Sequence, residues 1–172
     1  MILVEADASE EWDSRSDWPG LAERAVQAAV AASDVAWLGT GECDFEVSVR
    51  FSSDEDVRAL NAAWRAKDKA TNVLSFPMIE RDLLETFRSS GPGEALLGDV
   101  ILAHGVCARE AAEKGVAVET HAAHLIVHGM LHLLGYDHET GDEDAEAMEE
   151  TERRALAAIG ISDPYQVTEV QT

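Results

Sequence analysis

One segment constrains this chain more than any other: His121-Ala-Ala-His124-Leu-Ile-Val-His128-Gly-Met-Leu-His132-Leu-Leu-Gly135-Tyr-Asp-His138. It holds five of the six histidines. On a helix, residues four apart stand on one face with about 6 Å between them. His128 and His132 can therefore present two imidazole nitrogens to one ion. Gly135 can take the left-handed conformation that ends a helix and reverses the chain. The reversal would bring His138 back as a third donor. Three neutral imidazoles at about 2.0 to 2.1 Å, with the fourth position open, describe a catalytic zinc site. Imidazole also suits nickel, copper and iron, so other divalent transition metals stay open. A pair of histidines at helical spacing arises by coincidence; three with a glycine at the required turn do so far less readily. His124 shares the stripe and reads as a packing or ligand-orienting residue, while His121 and His104 read as surface or polar-core residues.

The spacing equals that of the long zinc-peptidase motif H-E-x-x-H-x-x-G-x-x-H. That motif places its general base, a glutamate, where this chain has Gly129. Glycine cannot move a proton, so peptide hydrolysis by that route is disfavoured. Three neutral ligands would leave the ion's charge uncompensated, which favours an anionic substrate such as a phosphodiester. A local cluster of cations agrees: between positions 57 and 69, Arg58, Arg65, Lys67 and Lys69 face only one acid, Asp68. Arg65, at the end of a helix, is placed to hold a phosphate bidentately.

The remaining sequence builds a scaffold for this site. The 172 residues suit one domain, read as spanning 1–172 with a tail from 161 to 172. Thirteen Lys and Arg against 34 Asp and Glu give a net charge of −21. That balance excludes a chain-wide basic footprint for DNA and a basic membrane-surface helix. No stretch approaches the roughly 20 apolar residues of a bilayer span, and the N-terminus lacks the pattern of a signal peptide. Cys43 and Cys107 read as core thiols of a reducing cytoplasm.

Strands are expected over residues 1–7, 45–51, 72–76 and 95–103, the last interrupted by Gly98. Helices are expected from Asp17 to about Ala32, from Ser53 to Trp64, and over 105–114, 119–134 and 142–159. Residues 78–94 read as irregular, with at most a helical turn. The sum is a single α+β domain: a small mixed sheet of about four strands with surrounding helices.

Three blocks resemble the YbeY family. They are the segment from His124 to His138, the run Leu60-Asn61-Ala-Ala-Trp64-Arg65-Ala-Lys67-Asp68-Lys69-Ala70-Thr71-Asn72-Val73-Leu74-Ser75-Phe76-Pro77, and Leu97-Gly98-Asp99-Val100. Together they cover about residues 47–140. The resemblance implies a zincin-like fold with a metal site at His128, His132 and His138 and a functional arginine at Arg65. It implies an endoribonuclease for single-stranded RNA that matures the 3′ end of 16S rRNA and works in ribosome quality control. Its partners would be single-stranded rRNA, the small ribosomal subunit and assembly factors. Ala70 departs from the family, which often carries proline there.

Nine acids lie between Asp137 and Glu152 and are expected on a solvated helix face, turned away from an RNA groove. Asp137 is a candidate general base or imidazole partner. Two rivals stand beside the nuclease: the metallopeptidase, opposed by Gly129, and a non-catalytic ribosome-assembly factor with structural zinc, whose fourth ligand would be Cys43, Cys107 or His124.

Overall fold

A computed structural model describes residues 1–137 and 140–165. Four strands form one mixed sheet: β1 (Ile2–Ala8), β2 (Cys43–Ser52), β3 (Val73–Pro77) and β4 (Gly93–Ala103). Their spatial order is β1-β2-β4-β3, with β1, β2 and β4 parallel and β3 antiparallel to β4. Among the described residues the helices are α1 (Trp18–Ala32), α2 (Asp54–Arg65), the short α3 (Arg81–Leu84), α4 (His104–Lys114), α5 (Val118–Leu133) and α6 (Asp142–Ala158). The expected mixed sheet is present, and β4 starts two residues earlier than its apolar run suggests.

Period-two patterning puts Phe45, Val47, Val49 and Phe51 of β2 on the buried face. That face carries α1 and α5, and α6 lies across those two helices. The apolar β2 residues join Val26, Val30, Ile126, Val127 and Met130 in one core. On the opposite face α2 covers only one end, where Val57 packs with Leu74 and Ile101; Leu3, Glu5, Asp7 and Arg50 stay exposed.

Local chemistry sets the ends of the elements that matter here. Asp17 caps α1 by accepting from the Gly20 amide, and Ser53 caps α2 by accepting from the Asp56 amide. The chain leaves α2 through Ala66 in the left-handed conformation, at φ 56°. Gly98 sits at φ 144° where the β2–β4 register shifts, and a Cβ there would stand 2.3 Å from the Phe76 carbonyl oxygen. Only glycine fits that close approach.

α5 is nearly all buried, and Gly129 shows why one of its residues must be small. A Cβ at position 129 would lie 2.9 Å from Val100 Cγ1 and 3.4 Å from Val73 Cγ2. The helix is thus seated directly on β3 and β4, which fixes the height of its histidines above the sheet.

Candidate metal and phosphate site

The last two turns of α5 carry His128 and His132, and their imidazoles face each other with Nε2 atoms 3.1 Å apart. The far nitrogen of each ring meets an acceptor. His128 Nδ1 donates to Glu152 Oε1, and His132 Nδ1 donates 3.0 Å to the Tyr136 carbonyl oxygen. The Glu152 carboxylate and the Tyr136 carbonyl only accept, so Nδ1 is the donor of each ring and Nε2 is the atom that faces the neighbouring imidazole. A cation between the two Nε2 atoms would accept a lone pair from each. Two nitrogens at about 2.0–2.1 Å from a tetrahedral ion stand about 3.3 Å apart, close to the spacing found. Donor type, tautomer and separation therefore fit a zinc-like ion.

Gly135 ends the helix as expected, at φ 95°. The Leu134 carbonyl accepts from Arg81 at 2.7 Å, and the Tyr136 hydroxyl accepts from the Asp34 amide at 2.9 Å. These contacts hold the turn that presents the Tyr136 carbonyl to His132. His138, the expected third ligand, lies outside the described residues. Among the described residues, no group of three His, Cys, Asp or Glu side chains gathers around an ion.

Glu152 is the residue that sequence reasoning misplaced. It was expected on the solvated face of the acidic helix, yet it is completely buried. The reason is its register. On α6 the buried positions are Met148, Thr151, Glu152, Ala155 and Leu156, a single stripe that turns toward α1 and α5. That stripe was readable beforehand, because Glu152 is four residues from Met148 and from Leu156. Burial raises the pKa of a carboxyl. Here the neighbouring imidazoles of His124 and His128 and the Tyr165 hydroxyl outweigh it and hold Glu152 well below the usual carboxylate range. Tyr165 donates its hydroxyl proton to Glu152 Oε2. The segment expected as a plain tail from position 161 is therefore packed at least as far as Tyr165.

His124 is buried with Nε2 3.6 Å from Glu152 Oε2, too long for a hydrogen bond. This fits a supporting place behind the ligands. His121 is a polar-core residue, its Nε2 donating 2.7 Å to Glu110. Glu110 in turn accepts from Asn72 Nδ2 at 3.0 Å. His104 packs edge-on against Trp12.

A cleft of about 360 Å³ opens over His128 and His132. Arg65, Asn72, Ser75 and Asp137 line it together with His128 and His132. The structure thus brings Arg65, predicted as the phosphate-holding residue, into the same cleft as the predicted ligands. Asn72 and Ser75 share that wall, and nothing in their spacing had marked them. Neither cysteine lines the cleft. Cys43 lies in the sheet core, and Cys107 is buried in the same core, where burial pushes its thiol up to about 12. No described helix is long and apolar enough to cross a membrane.

The family described as Endoribonuclease YbeY matches residues 7–160. A protein named Endoribonuclease YbeY from Rhizorhabdus wittichii is 55% identical over 169 residues, 98% of this chain and 99% of its own. This chain belongs to the YbeY family. The Novosphingobium aromaticivorans relative of the same name is 52% identical over 166 residues, covering 96% of each chain. The solution structure of TM1509 from Thermotoga maritima shares the fold, with a TM-score of 0.51 at 23% identity over 97% of this chain and all of that one. The relatives share the whole domain, so the likeness extends beyond the histidine segment.

Proposed function

We propose that this chain is a zinc-dependent endoribonuclease for single-stranded RNA. The observation that carries this reading is the pair of facing Nε2 atoms in a cleft that also holds Arg65. The names of its relatives support the reaction class. His128 and His132 would hold the ion with His138, and other divalent metals remain candidates. Zinc held there supplies Lewis acidity toward a phosphoryl oxygen.

The chain's own residues do the rest. Glu152 and the Tyr136 carbonyl fix the tautomers and ring angles of the ligands. Arg65 binds the non-bridging oxygens of the scissile phosphate and stabilises the charge that grows on them. Asn72, with one amide proton committed to Glu110, lines the wall beside the phosphate. Asp137 stands in the same cleft as a proton acceptor. A peptidase glutamate has no counterpart, because position 129 is pressed against Val100.

The physiological substrate in this reading is the 3′ end of 16S rRNA. The small subunit and its assembly factors would serve as partners in the cytoplasm; the charge of −21 weakens binding to naked RNA, and the phosphate contacts of Arg65 and the lysines make it salt-sensitive. The deciding experiment uses metal-stripped protein and a single-stranded rRNA fragment. Cleavage should appear on adding one equivalent of zinc and stay absent in His128→Ala. Cleavage that ignores both the metal and His128 would refute the reading.

A further inference from the structure

Of the four tryptophans, Trp12 and Trp18 are buried, Trp37 is half-buried, and Trp64 is 74% exposed. Among the described residues it is the most exposed of the large apolar side chains, ahead of Met78 at 59%. Trp64 immediately precedes Arg65, which lines the cleft. It also begins the most basic stretch of a strongly acidic chain, Trp64-Arg65-Ala-Lys67-Asp68-Lys69.

This stretch is held in place. Asn61 is buried; its carbonyl accepts from the Lys67 amide at 3.2 Å and its side-chain amide donates to the Lys69 carbonyl at 2.9 Å. Asp68, the single acid of the stretch, is engaged by Arg58 at 2.8 Å. Among the described residues no acid forms an ion pair with Arg65, Lys67 or Lys69. An exposed aromatic next in sequence to a cleft arginine and followed by two cations on a braced loop matches what single-stranded nucleic acid requires. A base stacks on the ring while its neighbouring phosphates meet the charges.

We propose that Trp64 is a stacking platform for an unpaired base of the RNA strand leading into the cleft, with Lys67 and Lys69 meeting the phosphates beside it. This rests on the nuclease reading above and adds a subsite to it. Because the ring reads a π-face rather than a base edge, the subsite is blind to sequence and selects for unpaired nucleotides. A base inside a duplex cannot offer its face.

The test is binding of a short fluorescein-labelled single-stranded RNA to the full chain, read by anisotropy over a salt series. Trp64→Ala should weaken binding by about tenfold, within the range of one lost base stack, while leaving the slope of log affinity against log salt unchanged. Trp64→Phe should retain most of the affinity. Lys67→Ala with Lys69→Ala should flatten the slope, because phosphate contacts carry it. A series of RNAs with one abasic site each should contain a position at which Trp64→Ala and the unaltered chain bind equally.

Binding by Trp64→Ala within about twofold of the unaltered chain overturns the platform and leaves Trp64 to a protein contact. A loss that is the same at every abasic position, or that Trp64→Phe does not restore, overturns it as well. RNA that is bound through Trp64 but never cleaved sinks the nuclease reading and keeps this one. RNA cleaved in a His128-dependent way with Trp64 indifferent does the reverse. Absence of RNA binding overturns both.

Discussion

The two halves of α5 each carry a pair of histidines, three residues apart in the first and four in the second, and put them to opposite uses. In the first half, His121 gives Nε2 to Glu110 and His124 lies buried beside Glu152. In the second, His128 and His132 give Nδ1 away and turn Nε2 toward each other. Both spacings put a pair on one helix face, so spacing alone does not produce this difference. It comes from the acceptor that each neighbouring element supplies: Glu110 from α4, Glu152 from α6, and a carbonyl from the turn after Gly135. The two candidate ligands have Nδ1 occupied by an acceptor of a neighbouring element, whereas His121 has Nε2 occupied and belongs to the polar core.

The contrast can be broken by exchanging the two classes. His128→Ala or His132→Ala should weaken zinc binding on the order of a thousandfold, measured by competition with a chromogenic chelator, whereas His121→Asn should stay within about threefold. Equal losses in both halves would show that the outer shells do not choose the ligands. Arg65→Ala isolates the opposite wall of the cleft. RNA cleavage should fall about a hundredfold in kcat/KM with zinc affinity unchanged, and Arg65→Lys should recover only part of it.

Glu152→Gln sharpens the comparison. It keeps the volume and an acceptor oxygen but removes the charge behind His128, so zinc affinity should drop about ten- to hundredfold while the thermal midpoint moves little. Glu110→Gln, the matching change in the first half, should leave zinc affinity alone.

Much of this was legible beforehand. Period two in β2, the caps at Asp17 and Ser53, and the glycine stops at Gly115 and Gly135 are local signals, and the elements follow them. The closeness of His128 and His132 was equally local, being one helical turn. The roles of Glu152, Tyr136 and Asn72 were not, because each depends on which elements pack together. Glu152 illustrates the gap. Its helix stripe was visible, but a carboxylate on a buried stripe makes physical sense only once α5 is known to lie opposite with two imidazoles. Gly129 is similar: its absent side chain ruled out a proton carrier, and only the seating of α5 on Val100 gives a structural reason for glycine there.

Smaller effects probe that seating and the polar core. Gly129→Ala adds a methyl against Val100 but improves helix propensity. The net should be a loss of about 1–2 kcal/mol in denaturant unfolding with the secondary structure intact. Acid should act on the His121–Glu110 pair. Burial lowers the pKa of His121 from its ordinary 6.5, so protons favour the unfolded chain and stability declines as the pH falls below that value. Burial raises the pKa of Glu110, but its bonds from His121 and Asn72 outweigh this and bring it below the ordinary 4.5. Its contribution is present above 4.5 and is lost on further acidification. Thermal midpoints should fall by a few degrees between neutral pH and pH 5, and His121→Gln should flatten that part of the curve.

The most direct test is anomalous diffraction at the zinc absorption edge from crystals of the zinc-loaded protein. The account predicts one strong peak between the second-half histidines, about 2.0–2.1 Å from Nε2 of both His128 and His132. A peak bound through His121 or His124, or none between the two Nε2 atoms, would contradict it.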